Sequence, residues 1–322
     1  MAAFSILPSL VLVILWEMAN VQGKSIWVTA SSLVGFFTNG LLNWLFIQAG
    51  WNLPGVAFAT LISNCVVILC ILLAVFPEIG ELLPYMRNIK AGVAALPGLL
   101  RLGLPIGSIE LATVGFFASS TYLMSIESSK VIAAHAIAYQ ITELAIILFL
   151  GFGEGATILV ASAFGNRDWL KLKQIAISIT LSCMAMSAVV SFTMAVLSSR
   201  LPSLFLIGDK GNNATHTMAT TFILIGCSFT MLDALQIAWL GILRGMQDTI
   251  RPMILVMIGY WLIGVPACYA LAHPLGFGPV GIWWGLAIGL AFTCLGLGWR
   301  MLQHSKLLLG PTKRSISCRV EH

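Results

Sequence analysis

Charged residues are scarce in this 322-residue chain, where Asp, Glu, Lys and Arg together make up only 9% of the sequence. Soluble globular domains carry about 25% charged residues, so this chain lacks the side chains that would cover a water-exposed surface of its size. Hydrophobic residues make up 59% of the sequence, and the mean hydropathy is +0.96. The composition predicts an integral membrane protein whose surroundings are the lipid bilayer.

Several chemical signatures are also missing from the sequence. The seven cysteines form no CxxC pair, and all except Cys318 lie in apolar runs, so we interpret them as small hydrophobic residues. The absence of a GxxxxGK[ST] loop argues against a pump driven by ATP, and the absence of HExxH and GxSxG argues against a hydrolytic enzyme. We therefore expect a protein that is not an enzyme and that needs no cofactor.

Long apolar runs fill most of the sequence. A helix crosses the bilayer core with about 20 apolar residues, and these runs lack the ~10-residue alternating segments of barrel strands. We predict an all-α fold with about nine membrane-spanning helices. The predicted spans are residues 3–21, 26–49, 54–77, 103–126, 131–160, 174–197, 215–243, 253–273 and 280–302.

Basic residues predict the orientation of these spans. When the loop after the first span is placed in the cytoplasm, that side receives all of the 17 Lys and Arg residues except Lys130, Arg200 and Lys210. This distribution follows the positive-inside bias, so we expect a cytoplasmic C-terminus and an external N-terminus. We attribute the net charge of +5 to these basic cytoplasmic loops, and not to binding of a nucleic acid.

Two parts of the chain resemble each other. An ungapped shift of 225 positions places Leu10 on Leu235, Gln22 on Gln247 and Pro54 on Pro279, within similar patterns of apolar runs and short connections. Duplicated helical segments in a membrane chain indicate a transporter that is built from two halves.

Five short motifs follow one another along the sequence. They are LGLPIG at 102–107, AAHAIA at 133–138, GATILV at 155–160, LRGMQDT at 243–249 and GIWWGL at 281–286. Their order and spacing resemble the multidrug and toxic compound extrusion (MATE) family, especially its bacterial NorM-like branch, over nearly all of residues 8–302. The resemblance implies a secondary active multidrug efflux transporter in the inner membrane, which exports amphiphilic cationic drugs in exchange for Na⁺ or H⁺.

The same resemblance implies twelve helices in two six-helix lobes, of which the nine predicted spans correspond to the fourth to the twelfth. We therefore expect a partial N-terminal lobe of three helices at 1–77 and a cytoplasmic inter-lobe linker at 78–101. A complete six-helix C-terminal lobe is expected at 102–302 and a basic cytoplasmic tail at 303–322. Two other interpretations remain: an inactive truncated remnant or interaction protein, and a flippase for lipid-linked precursors.

Carboxylates inside the predicted spans are the candidate coupling site, because a charge at mid-membrane costs about 2.5–3.5 kcal/mol on insertion scales. Asp233 lies near the middle of its span and matches an acidic position on the family's tenth helix. Glu110 lies one turn before the position of Thr113, where the family pattern has a glutamate. We expect Asp233, Glu110 and Glu143 to bind the cation or proton, with Na⁺ at Asp233 and Glu110. The alternative for each is a polar group satisfied by a neighbouring helix.

Two further residues are secondary candidates. Glu154 follows Glu143 by eleven positions, which places both within ~20° on one helix face, although Glu154 is also expected to be solvated. His135 is a candidate proton relay, because its charge changes near physiological pH, and an interfacial or capping role is the alternative. No span carries a cluster of Lys or Arg at mid-depth for binding lipid phosphates, so the carboxylates favour cationic substrates over those of a flippase.

Overall fold

The computed structural model describes the backbone of residues 6–86, 89–206 and 213–309, and the side chains of these ranges except 77–91 and 305–309. Throughout these ranges the chain is almost entirely helical and contains no β-strand, which confirms the predicted all-α fold. The elements are α1 (Ile6–Val21), α2 (Ser25–Gln48), α3 (Asn52–Met86), α4 (Ile89–Glu127), α5 (Ser129–Gly165), α6 (Trp169–Leu197), a 3₁₀ turn (Leu201–Leu204), α7 (Asn213–Gly245), α8 (Ile250–Met257), a π-helical stretch (Ile258–Gly264), α9 (Val265–Ala272) and α10 (Gly278–Leu309).

Eight helices in the described part of the chain are long and apolar enough to cross a bilayer. One of them is continuous from Ile250 to Ala272 and comprises α8, the π-helical stretch and α9. The first predicted span coincides with α1, which is apolar but has only 16 residues. The chain is therefore a multi-pass membrane protein, and its described residues include eight or nine spans.

Local sequence explains where several helices begin. Ser128 precedes α5, and its hydroxyl accepts a hydrogen bond from the Val131 amide at 3.3 Å. Asp168 precedes α6 and accepts from the Lys171 amide at 3.0 Å. Such side chains satisfy amide groups that have no partner within the helix. Each cap thus fixes the start of a helix that carries residues of the sites described below.

The chain divides into two compact units, Met1–Pro97 and Gly98–His322. In the first unit, α1 and α2 pack on α3, and Leu15 and Ala19 of α1 are buried with Ile71 and Val75 of α3. The Lys24 ammonium donates a hydrogen bond to the carbonyl of Ala74 at 2.8 Å. This contact ties the turn between α1 and α2 to the third helix.

The predicted linker at 78–101 is helical where its backbone is described, because α3 continues to Met86 and α4 begins at Ile89. Residues 87–88 lie outside the described residues. In the predicted tail, α10 continues to Leu309, and residues 310–322 lie outside the description.

Helix α7 is the centre of the second unit and packs against α5, α6 and α10. In both α7 and α10, 61% of the membrane-crossing segment is buried, against 28% or less in the other spans. The contact between α5 and α7 is close because Gly153 and Gly241 face each other. The Thr157 hydroxyl donates to the carbonyls of Gly153, at 3.0 Å, and Gly241, at 3.1 Å. Small residues and such bonds are how helices associate tightly in membranes.

Aromatic side chains attach α4 to the rest of this unit. The fully buried ring of Tyr260, in the π-helical stretch, stacks on Phe116 of α4 with ring centroids 4.5 Å apart. The Tyr260 hydroxyl accepts a hydrogen bond from the Gln236 amide of α7. The π-helical stretch therefore links α4 to α7 close to the buried acidic residue of α7.

Candidate functional site

Asp233 is the buried carboxylate of α7, with 6% of its surface exposed. It lines a cavity between α4, α5 and α7 with a volume of about 150 Å³. The structure brings all four carboxylates that the sequence singled out to this one cavity. They are Asp233, Glu110, Glu143 and Glu154.

The size of this cavity limits what it can contain. Liquid water occupies about 30 Å³ per molecule, so a volume of about 150 Å³ holds a few waters or a partly hydrated ion. Sites for drug-sized ligands have volumes of about 300–1,000 Å³. The cavity therefore suits a proton or a small cation, and an organic drug does not fit in it.

The buried end of the cavity is rich in oxygen atoms. Glu143 is half-buried and accepts a hydrogen bond from the Tyr139 hydroxyl at 2.7 Å. Glu143 and Asp233 line the same small cavity from α5 and α7, and two carboxylates in such a position repel each other. Gln236 uses its amide nitrogen to bind Tyr260, which leaves its buried Oε1 without a partner. Oxygen atoms of this kind are the ligands that hard cations prefer.

Arg244 occupies the opposite, more exposed end of the cavity. Its Nη2 lies 2.5 Å from Oε1 of Glu110, and its Nη1 lies 3.8 Å from Oε1 of Glu154. These two glutamate side chains are 60% and 56% exposed, whereas that of Arg244 is 17% exposed. The single charge of the arginine therefore offsets one of the two outer negative charges and lies away from the buried end, where Asp233 and Glu143 are.

The four carboxylates line the cavity from three helices and do not converge on one point. Among the described residues, no group of three or more His, Cys, Asp or Glu side chains is close enough to bind a metal ion. An ion in this cavity would thus be held by two carboxylates at most, together with neutral oxygens and water. Such loose coordination is typical of weak, exchangeable binding of a monovalent cation or proton.

His135 is buried but does not line this cavity. Only 1% of its surface is exposed. Its Nε2 lies 3.1 Å from Oγ1 of Thr121, and its ring lies edge-on to Trp283 and stacked near Tyr139. The proton-relay role and the interfacial or capping alternative both stay predictions, and the structure adds that α4 and α10 cover this part of α5.

Sequence reasoning missed three members of the site. Tyr139 and Gln236 lie four residues before Glu143 and three residues after Asp233, a spacing that shares a helix face and could have indicated both. Gln140, which directly follows Tyr139, is exposed. Arg244 was assigned only to a cytoplasmic turn, since nothing in the sequence indicates that its side chain reaches back to α4 and α5.

Comparisons with known proteins connect this arrangement to a family. A family model described as MatE matches residues 105–270, just over half of the chain. The "Probable multidrug resistance protein NorM" of Rhizobium meliloti (strain 1021) is 31% identical over 310 residues, which is 94% of this chain and 66% of that protein. The protein of the same name from Bradyrhizobium diazoefficiens is 30% identical over 307 residues, which is 92% of this chain and 65% of that protein. The chain thus spans less than two-thirds of the length of these curated relatives.

Solved structures show the same fold. One, described as "Crystal structure of MATE in the bent conformation", superposes with a TM-score of 0.80 at 20% identity, over 95% of this chain and 67% of that chain. Another, described as the outward-facing conformation of a multidrug resistance MATE family transporter of the MOP superfamily, has a TM-score of 0.79 at 21% identity. The superposition includes 90% of this chain and 64% of the chain of that transporter.

Proposed function

Because this chain belongs to the MatE family, as the match over residues 105–270 shows, we propose that it functions in secondary active multidrug efflux. The resemblance inferred from the five sequence motifs is thereby confirmed. In the proposal, the protein exports amphiphilic organic cations across the bacterial inner membrane in exchange for Na⁺ or H⁺. It is a transporter and not an enzyme, and its C-terminus lies in the cytoplasm.

The small acidic cavity of the second unit carries this proposal. Carboxylates inside a membrane are costly and mark ion and proton pathways, and here four of them come from three different helices. The cavity volume of about 150 Å³ fits a coupling ion and not a drug. We therefore propose that the coupling ion binds in this cavity and that the drug binds elsewhere in the protein.

The repulsion between Asp233 and Glu143 supplies a mechanism for coupling. Two nearby carboxylates repel each other until a cation or a proton arrives. Binding removes the repulsion and favours a closer approach of α5 and α7, whereas release restores it. An ion that binds one conformation more tightly than the other shifts the population between them. Antiport then follows if the drug binds the conformation from which the ion has been released.

A flippase is less well supported by the same site. The cavity is lined by four carboxylates and a single arginine, and that arginine already lies between Glu110 and Glu154. A lipid-linked phosphate would meet net negative charge there.

Transport by purified chain in proteoliposomes tests the proposal. Vesicles are prepared with either a Na⁺ gradient or a pH gradient, and the movement of ethidium is followed by fluorescence. We expect ethidium flux against its gradient, loss of that flux in Asp233→Asn, and normal flux in Glu127→Gln, a control carboxylate at the end of α4 that does not line the cavity. Normal transport by Asp233→Asn would exclude the assigned ion site. No flux from the unaltered chain under either gradient would favour the inactive remnant or interaction protein.

A further inference from the structure

A second, larger cavity lies on the other side of α7. It is formed by α6, α7 and α10 and has a volume of about 790 Å³. None of its lining residues also lines the acidic cavity, because the two cavities use opposite faces of α7: Asp233, Gln236 and Arg244 face one, and Leu235, Trp239 and Met246 face the other. The function proposed above leaves this groove without a role.

The walls of the groove are apolar and open to the surroundings of the protein. Leu181, Leu295 and Trp299 line it and are 59%, 74% and 68% exposed. At Gly298, a Cβ atom would lie 3.0 Å from the ring of Trp239, so the glycine is what allows that ring to lie flat against α10. In a membrane protein such a surface faces lipid chains, and its concave shape allows one lipid to be enclosed more fully than its neighbours.

The length of the groove matches one leaflet of a bilayer. Its lining residues on α10 run from Cys294 to His304, and those on α7 and the turn that follows it run from Leu232 to Met246. At 1.5 Å per residue these stretches are about 15 Å and about 21 Å long, and half of the hydrocarbon core is about 15 Å thick. A phospholipid that starts at one end of the groove would therefore extend its acyl chain along the whole of it.

The ionisable side chains that line the groove lie at one end of it. Lys173 lies there, in the second turn of α6, and His304 lies there near the end of α10. The neighbouring Asp248 is already engaged, since Nε of Arg300 lies 2.6 Å and Nε2 of His304 lies 2.8 Å from its Oδ2. Within the part of the chain that the structure describes, Lys173 forms no ion pair, so its ammonium can bind an anionic group.

We propose that this groove binds an anionic phospholipid of the surrounding bilayer, with its phosphate at Lys173 and an acyl chain along Trp239 and Leu295. The apolar walls, the length of one leaflet and the basic end each match one part of such a lipid. Basic pockets at the ends of membrane helices are known to select anionic headgroups. This inference does not depend on the proposed transport activity.

Trp239 provides a direct measurement of the acyl chain. The full chain in detergent is titrated with phosphatidylglycerol or phosphatidylcholine that carries bromine on its acyl chains, and quenching of tryptophan fluorescence is recorded. We expect a saturable quenching component with brominated phosphatidylglycerol, and loss of most of that component when Trp239 and Trp299, the two tryptophans that line the groove, are both replaced by Phe. The exposed Trp27 of the first unit is the control, and Trp27→Phe should retain the component.

Two neighbouring lysines test the headgroup site. Lys173→Gln should weaken binding of phosphatidylglycerol about fivefold, since one basic residue near a membrane surface contributes about 1 kcal/mol, and should leave phosphatidylcholine binding unchanged. Lys171→Gln is the matched control, because Lys171 is exposed on the same helix and does not line the groove. Equal affinity for the two lipids, equal effects of the two lysine variants, or an unchanged component in the double variant Trp239→Phe, Trp299→Phe would overturn the proposal.

Discussion

At the scale of single residues, Arg244 determines how much negative charge the acidic cavity presents. Its guanidinium contacts Glu110 and lies near Glu154, at the exposed end of the cavity. The Arg244 guanidinium therefore competes with the coupling ion for the carboxylates of Glu110 and Glu154. Its loss should therefore strengthen ion binding, whereas the loss of a carboxylate should weaken it.

We predict that Arg244→Gln raises the affinity of the cavity for a monovalent cation a few-fold. The gain is limited because Glu110 and Glu154 are both more than half exposed, and water screens their charges. Equilibrium binding of radioactive Na⁺ to purified protein measures the change. In the matched variant Glu110→Gln, we expect a lower affinity for the cation. A lower affinity in Arg244→Gln than in the unaltered protein would contradict the role of Arg244 as a competitor of the ion.

Asp248 holds together the turn after α7 and the end of α10. Burial alone would raise its pKa, but the hydrogen bonds and charges of Arg300 and His304 outweigh burial and lower the pKa below its ordinary value. A carboxyl group whose pKa is lower in the folded protein contributes stability above its unfolded pKa, which is about 3.9. That contribution is lost as the pH falls through the folded pKa.

We therefore predict that Asp248→Asn lowers the free energy of unfolding by about 1–3 kcal/mol at pH 7, the range for hydrogen bonds to charged groups. The difference between variant and unaltered protein should shrink as the pH falls below about 4. Thermal unfolding of the variant and of the unaltered protein in detergent, followed by circular dichroism at pH 7 and at pH 3, measures the difference in stability at each pH. A difference that is as large at pH 3 as at pH 7 would show that the carboxylate charge is not what stabilises the turn.

At the scale of helices, the sequence predicted the number and order of the spans but not their full lengths. The apolar runs fixed the spans because about 20 apolar residues are needed to cross the bilayer core. Helix α3 continues nine residues beyond the predicted end of its span, at 77, to Met86, and α4 begins at Ile89 although its span was predicted from 103. Backbone hydrogen bonds within a helix do not require an apolar environment, so hydrophobicity does not reveal where a helix leaves the bilayer and ends.

Close packing of α5 against α7 supports both walls of the acidic cavity. A Cβ atom added at Gly241 would collide with the backbone of Gly153, whereas one added at Gly155 would meet no atom within 4 Å. A collision with backbone is not relieved by turning a side chain, so the two helices would have to separate. The cavity would change shape as they did.

We predict that Gly241→Ala lowers the thermal unfolding midpoint by several degrees and weakens ion binding. The matched substitution Gly155→Ala, on α5, should leave the midpoint unchanged or raise it, because alanine favours a helix by about 1 kcal/mol over glycine. Differential scanning fluorimetry of both variants tests this pair. Similar midpoints for the two would mean that the close contact contributes little to the stability of the second unit.

At the scale of the whole molecule, the candidate site could be predicted only in part. Asp233 and Glu143 were identified because a carboxylate within a membrane span is costly and needs an explanation. That all four carboxylates line one cavity depends on how α4, α5 and α7 are rotated about their axes, which is set by contacts such as Gly153 with Gly241 and Phe116 with Tyr260. The rotation of each helix about its axis cannot be predicted from the pattern of residues in a single sequence. The apolar groove of α6, α7 and α10 was missed for the same reason.

The identity of the coupling ion should be visible in the stability of the whole chain. An ion that binds the folded protein and not the unfolded chain stabilises it by RT ln(1 + [L]/Kd), about 2.7 kcal/mol at a concentration 100 times Kd. If the ion is Na⁺, the unfolding midpoint measured at constant pH should rise when Na⁺ replaces a large organic cation, and should do so much less in Asp233→Asn. If the ion is H⁺, Na⁺ should have no such effect, and the midpoint should instead depend on pH in the unaltered chain more than in Asp233→Asn. A rise with Na⁺ that is equally large in Asp233→Asn would place the ion outside the acidic cavity, because every other carboxylate there is more exposed and less able to hold an ion away from water.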